Sequence, residues 1–217
     1  MERVIFVLLF FATLHAYSQV KYGIGSSTTF SANQEIIASS ADNAPNLSVG
    51  AGFLGLIEFP FGKESRSSVF ACLEWSSVRH HFIYSGWGLF STQANLKAPI
   101  MYSHYVPVAR NARSFLRIGI APFYQTGGSI STERPSRGEF IERQLEDGVF
   151  FLLVVNAGIR YTSKGNHVFD LSIGLQRGFE ESEQITYTSN QGVRSTSISG
   201  NGSYFDIKFI WYPPLRK

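Results

Sequence analysis

Five residues near the middle of the chain could do chemistry together: His80, His81, Ser85, Ser91 and His104. A histidine can take the proton of a serine hydroxyl, so such a set could serve a lipid hydrolase or acyltransferase at a membrane edge. The spacing matches no specific Ser-His-acid arrangement. His80 and His81, as neighbours on a strand, would point to opposite faces and make a poor metal site. No Gly-rich phosphate loop, metal-ligand cluster or pair of catalytic carboxylates stands out. The chain therefore reads as a non-enzyme, with no catalytic, cofactor-binding or metal residues expected.

A second set of reactive side chains is charged. In the stretch 203–212, Phe205, Ile207, Phe209 and Trp211 fall on one face of a strand, with Tyr204, Asp206, Lys208 and Tyr212 on the other. Side chains alternate with a period of two along a strand, so one face is apolar and the other carries charge. The same alternation recurs upstream and collects Lys21, Glu58, Glu74, Lys97, Arg117, Arg160, Asp170, Asp206 and Lys208 on one side. The opposite faces carry almost no charge over their middle turns. This is the pattern of a transmembrane β-barrel, lipid-facing outside and polar inside.

Eight strands are predicted, at about 20–30, 47–59, 68–79, 94–106, 114–125, 149–161, 167–179 and 203–212. Pro99 and Pro122 predict bulges, because proline cannot donate to the ladder. The connections alternate between long (near 32–46, 80–93, 126–148 and 180–202) and short (near 61–67, 107–113 and 162–166). Short turns on one side and long loops on the other mark outer-membrane barrels. The long segments 126–148 and 180–202 read as solvated loops of mixed charge or polar residues. A separate hairpin at 80–93 would raise the count to ten.

The positioning elements agree with composition. Of 217 residues, 16% are charged and 15% aromatic, a balance suited to an apolar skin with aromatic girdles. Tyr22, Trp75, Tyr102, Tyr124, Tyr161, Trp211 and Tyr212 are the girdle candidates. The net charge of +3 is dispersed, without a Lys/Arg run, which argues against nucleic acid. Residues 1–18 read as a secretory signal: Arg3, an apolar run from Val4 to Leu14, then Ala16-Tyr17-Ser18 before cleavage at Gln19. The barrel domain is then 19–217. Cys72 cannot form an internal disulfide and is expected to be a buried packing residue.

An eight-stranded barrel has an interior just wide enough for its own side chains. The nine inward charges are therefore expected in ion-pair networks that fill the lumen, since a lone buried charge is costly. A narrow ion path is the functional alternative. A soluble barrel carrying a ligand among Leu54, Leu56, Phe70, Phe150 and Leu152 is another.

Three stretches carry a family resemblance. Leu96-Lys97-Ala98-Pro99-Ile100-Met101-Tyr102 is similar to the Leu-Glu-Ile-Pro-Leu-Leu-Leu strand of the PorT-like small outer-membrane barrels of Bacteroidota. Phe115-Leu116-Arg117-Ile118-Gly119-Ile120-Ala121-Pro122-Phe123 resembles the strand that follows it, and 203–212 the closing strand. Lys97 stands where the family usually has an acid, and the chain runs on past Tyr212 into Pro213-Pro214-Leu215-Arg216-Lys217. The resemblance implies a small barrel of the cell outer membrane, while the mixed-charge loops and self-filled core point to a structural, surface-binding or secretion-accessory role. The expected partners are outer-membrane lipid, the barrel-assembly machinery during insertion, and an extracellular ligand or protein at 126–148 and 180–202.

Overall fold

The computed structural model describes residues 20–33, 46–84, 87–134, 138–189, 194–200 and 203–214. The expected signal at 1–18, most of the 32–46 connection, Ser85 and the end of the C-terminal tail lie outside the described residues. Eight strand paths close on themselves. They are β1 (Lys21–Asn33), β2 (Asn46–Phe61), β3 (Ser67–Tyr84), β4 (Trp87–Lys97) continued by β5 (Ile100–Ala109), and β6 (Ala112–Gln125). The chain then forms β7 (Gly128–Arg134) and β8 (Glu139–Leu145) before returning to the barrel as β9 (Gly148–Thr162) and β10 (Val168–Gly178). A second excursion, β11 (Glu183–Ser189) and β12 (Arg194–Gly200), precedes the closing strand β13 (Tyr204–Tyr212).

Every neighbouring pair is antiparallel, and β13 pairs with β1 from Ile24–Trp211 to Phe30–Phe205, which closes the barrel. Its shear can be traced residue by residue. Lys21 opposes Glu58, then Phe70, Met101, Gly119, Val154, Gln176 and Tyr204 follow in turn around the wall. Tyr204 returns to β1 one position beyond the Phe30–Phe205 pair, at Ser31, ten residues along from Lys21. Eight strands with a shear of ten tilt by about 40° and enclose a radius of about 8 Å, room for side chains alone.

The proline expectation is corrected. β4 and β5 keep one register against both β3 and β6, so Pro99 and Pro122 make no bulge. Each simply omits one donor. Cys72 N–H still donates to Pro99 O at 3.0 Å, and Ala98 N–H to Pro122 O at 2.9 Å. The register shift lies instead between Pro107 and Ala109, beside the short turn. The region 80–93 is no separate hairpin: β3 and β4 pair without a break from Glu74–Lys97 up to Tyr84–Trp87, and the barrel count stays at eight.

The loop expectation for 126–148 and 180–202 is also corrected. β7, β8, β11 and β12 form a four-stranded antiparallel sheet in the order β12-β11-β8-β7. Ile141, Ile185 and Tyr187 bury one face of it with Leu89 of β4. Neither excursion alone has enough apolar surface to fold, but together they bury a shared core.

Outside, Ile24, Phe53, Leu73, Ile118, Leu171, Ile173 and Phe209 are among many exposed apolar side chains, with Ile173 67% and Phe53 71% accessible. Such a continuous belt is unsuited to water and suited to lipid. Tyr22, Tyr102 and Tyr161 are exposed near its short-turn edge, and Trp75 and Tyr124 toward the other. Tyr212 departs from the girdle expectation, since it is 1% exposed inside the lumen.

Candidate functional site

The lumen is the candidate site, because alternation sends every predicted interior charge there. It is filled in three tiers. The lowest, nearest the short turns, joins Glu58 of β2, Arg117 of β6, Arg160 of β9 and Asp170 of β10. Arg160 donates Nη1 and Nη2 to the two Glu58 oxygens, both at 2.9 Å. It also donates Nε to Asp170 Oδ1 at 2.7 Å and Nη2 to Oδ2 at 2.7 Å. The second Asp170 partner is Arg117, through Nη2. Tyr105 and Ser68 hydroxyls donate to Glu58 Oε1 at 2.6 and 2.8 Å, and Tyr212 donates to Asp170 Oδ2 at 3.1 Å.

Aromatic rings sandwich both guanidinium groups. Arg117 lies 4.5 Å over Phe70 and 4.0 Å over Phe115, and Arg160 lies 4.5 Å over Tyr105 and 4.7 Å over Tyr212. Gly158 makes room for Phe115: a Cβ there would stand 2.6 Å from its ring. Since β2 and β9 are four strand paths apart in a ring of eight, the Glu58–Arg160 pair spans the full lumen.

The middle tier is built on Glu74. Lys208 Nζ approaches Glu74 Oε2 at 2.7 Å and Lys97 Nζ lies 3.3 Å from Oε1, while Ser27 donates to Oε1 at 2.9 Å. Lys97 also donates to Gln176 Oε1 at 3.2 Å, and Gln176 in turn donates to Asp206. Lys208 lies 3.5 Å from Asp206. Lys97 thus answers an acid on the neighbouring strand. Beside these tiers Leu54, Leu56, Phe70, Cys72, Phe150 and Leu152 pack into one apolar cluster with Met101, Phe123 and Ile210. The residues considered for a ligand cavity are packed against each other, and Cys72 is a buried free thiol among them.

The uppermost tier has no counterpart among the sequence expectations, because its charges sit in segments whose composition reads as solvated loop. Arg143 of β8 donates Nε and Nη2 to Glu183 Oε2 of β11 at 3.0 and 2.6 Å. Its Nη1 donates to Ser91 Oγ and its Nη2 to Gln93 Oε1, both at 2.8 Å, on the inward face of β4. Gln93 donates to Gln125 at 2.5 Å, which donates to Ser182 O at 2.7 Å. One guanidinium thereby clamps the four-stranded sheet to the barrel wall. The alternation of Ile185 and Tyr187 with Thr186 and Thr188 was the available signal for a strand. On the exposed side of β8, donation from Ser129 and Gln144 at 2.6 and 3.1 Å holds the Glu142 carboxyl below its ordinary value.

Of the nine predicted interior charges, eight belong to these tiers. Lys21 is the other: half-buried at the short-turn mouth, opposite Glu58 in register. Among the residues considered for serine chemistry, Ser91 faces Arg143, and His104 is exposed near the other mouth, opposite Ser67. The side chains of His80 and His81 lie outside the described ones. Among the described residues no group of three or more His, Cys, Asp or Glu gathers as a metal site.

The chain is similar in structure to two outer-membrane proteins. The outer membrane protein OprG from Pseudomonas aeruginosa shares 10% identity at a TM-score of 0.44, over 91% of this chain and 98% of that one. The outer membrane protease OmpT from Escherichia coli shares 8% at 0.28, over 89% and 92%. No family model matches the chain, and no curated protein matches it by sequence. The closed barrel stands on its own register and its apolar exterior.

Proposed function

We propose that this chain is a non-enzymatic integral protein of the cell outer membrane: a filled, non-conducting barrel that presents its four-stranded sheet outside as an interaction surface. The observation that carries this reading is the lumen-spanning Glu58–Arg160 pair, repeated in kind at Glu74 and capped by Arg143. A pore must leave a wet path, whereas these side chains hydrogen-bond to one another across the bore. The short turns would face the periplasm and the sheet of 126–148 and 180–202 the exterior, as in outer-membrane barrels generally. A non-enzymatic role is supported by the engagement of Ser91 by Arg143, far from the exposed His104.

On this reading the partners are membrane lipid around the apolar belt, the barrel-assembly machinery during insertion, and an extracellular ligand or protein at the sheet. Kinship with the PorT-like barrels and a structural or secretion-accessory role belong to the same proposal. Fractionation of cells expressing the full chain tests it, followed by protease treatment of intact cells. Recovery in the outer membrane with cleavage confined to 126–148 or 180–202 is expected. Purified protein in planar bilayers should give no steady conductance. Recovery in the soluble periplasm, or a stable open channel, would overturn the reading.

A further inference from the structure

The short-turn mouth has a charge imbalance that the lumen above it lacks. A cavity of about 1090 Å³ opens there, walled by the first residues of β1 and β6 and by the three short turns. Its two lining carboxylates are already engaged. Glu58 is held by Arg160, and Glu64 by Arg66 at 2.6 Å. Arg160 is itself engaged by Glu58, Asp170 and Tyr212. Four other lining cations remain: Lys21 at the floor, and Arg110, Arg113 and Lys164 around the rim. Among the described residues, the one hydrogen bond these four make is a donation from Arg113 Nη1 to the backbone oxygen of Glu64, at 3.5 Å.

These cations come from three separate parts of the chain that only the closed barrel brings to one mouth. Cations of one sign around a concavity with low-dielectric walls focus the field and concentrate counter-ions. Guanidinium groups add a planar fork that matches phosphate and carboxylate oxygens. The volume is that of a small-molecule site. We propose that this cup binds a small, multiply charged anion bearing phosphate or carboxylate groups. The ammonium of Lys21 meets it at the floor, and Arg110, Arg113 and Lys164 close on it from the rim. The site depends on the geometry of one mouth and not on the compartment it faces, so its failure would leave the membrane assignment untouched.

Isothermal titration of the full chain in zwitterionic detergent tests this, with pyrophosphate and citrate as separate probes at low salt. Saturable binding near one equivalent is expected, weakened by added salt. Arg113→Gln should bind about tenfold more weakly, and Lys21→Gln/Arg113→Gln/Lys164→Gln more weakly still. Arg177→Gln, at the other edge of the belt, should bind as the parent does. Retained heat-modifiable migration shows that each variant is folded. Preference for pyrophosphate or for citrate supports the site and names phosphate or carboxylate as its chemistry. No saturable binding of either probe at millimolar concentration, or equal binding by the triple variant, would overturn the proposal.

Discussion

Replacing Arg160 with Met is the sharpest test of the filled lumen. The thioether keeps much of the side-chain length but removes the donations to Glu58, Asp170 and Tyr212. The lowest tier is neutral as built, with Glu58 and Asp170 against Arg117 and Arg160. After the substitution it carries one uncompensated negative charge. Glu58 retains Tyr105 and Ser68, and Asp170 retains Arg117 and Tyr212. Breaking a buried pair from one side costs about 3–5 kcal/mol. Arg160 lines the open cup, so water can reach the Glu58 side, and the lower end of about 3 kcal/mol is expected here.

Glu58→Gln should cost less, about 1–3 kcal/mol, because Arg160 keeps Asp170. In the double variant the tier is neutral again, and its cost should fall short of the sum by about 1 kcal/mol or more. The assay is urea unfolding in lipid vesicles, followed by tryptophan fluorescence and by heat-modifiable migration. A loss below about 1 kcal/mol for Arg160→Met would refute the reasoning. So would strict additivity in the double variant, since it would mean that the two side chains do not interact.

Four other outcomes follow from the same geometry. Arg143→Gln removes the clamp between the four-stranded sheet and β4, so protease on intact cells should cut 126–148 and 180–202 faster while the barrel core keeps its heat-modifiable migration. Gly174→Ala places a Cβ against Asn156 and Asp206 in the lumen and should destabilise the barrel by about 1–3 kcal/mol in the same urea assay. Ile173→Lys sets a charge on the lipid face between Ala157 and Ile207 and should cost about 2–4 kcal/mol, read as reduced yield of inserted protein. Cys72, buried in the apolar cluster, should resist maleimide labelling until the barrel is unfolded in urea.

Much of the architecture was legible in the chain because a barrel wall is written in local terms. Each strand needs only its own alternation to declare which residues face lipid, and Ile118, Leu171 and Ile207 do so as plainly as Arg117, Asp170 and Asp206 declare the lumen. The even count and the alternation of short and long connections then imply closure. Tyr212 was open to misplacement: an aromatic at a strand end suits a girdle, and its use as a donor to Asp170 depends on a partner from another strand.

The tertiary structure decided what depends on residues distant in sequence. Which interior charge meets which is set by shear and tilt, and these bring Glu58 across the bore to Arg160, more than a hundred positions away. Pro99 and Pro122 are harmless because neighbouring ladders hold the register through them, and no local rule shows that support. The segments 126–148 and 180–202 look like loops because each buries too little alone. They become one sheet only when the closed barrel sets their starting points side by side, so that Ile141, Ile185 and Tyr187 share a core with Leu89. Alternation thus assigned the faces, while closure of the ring assigned the partners. A strand's facing is a property of its own residues, but a contact across the lumen exists only once all eight strand paths are in register.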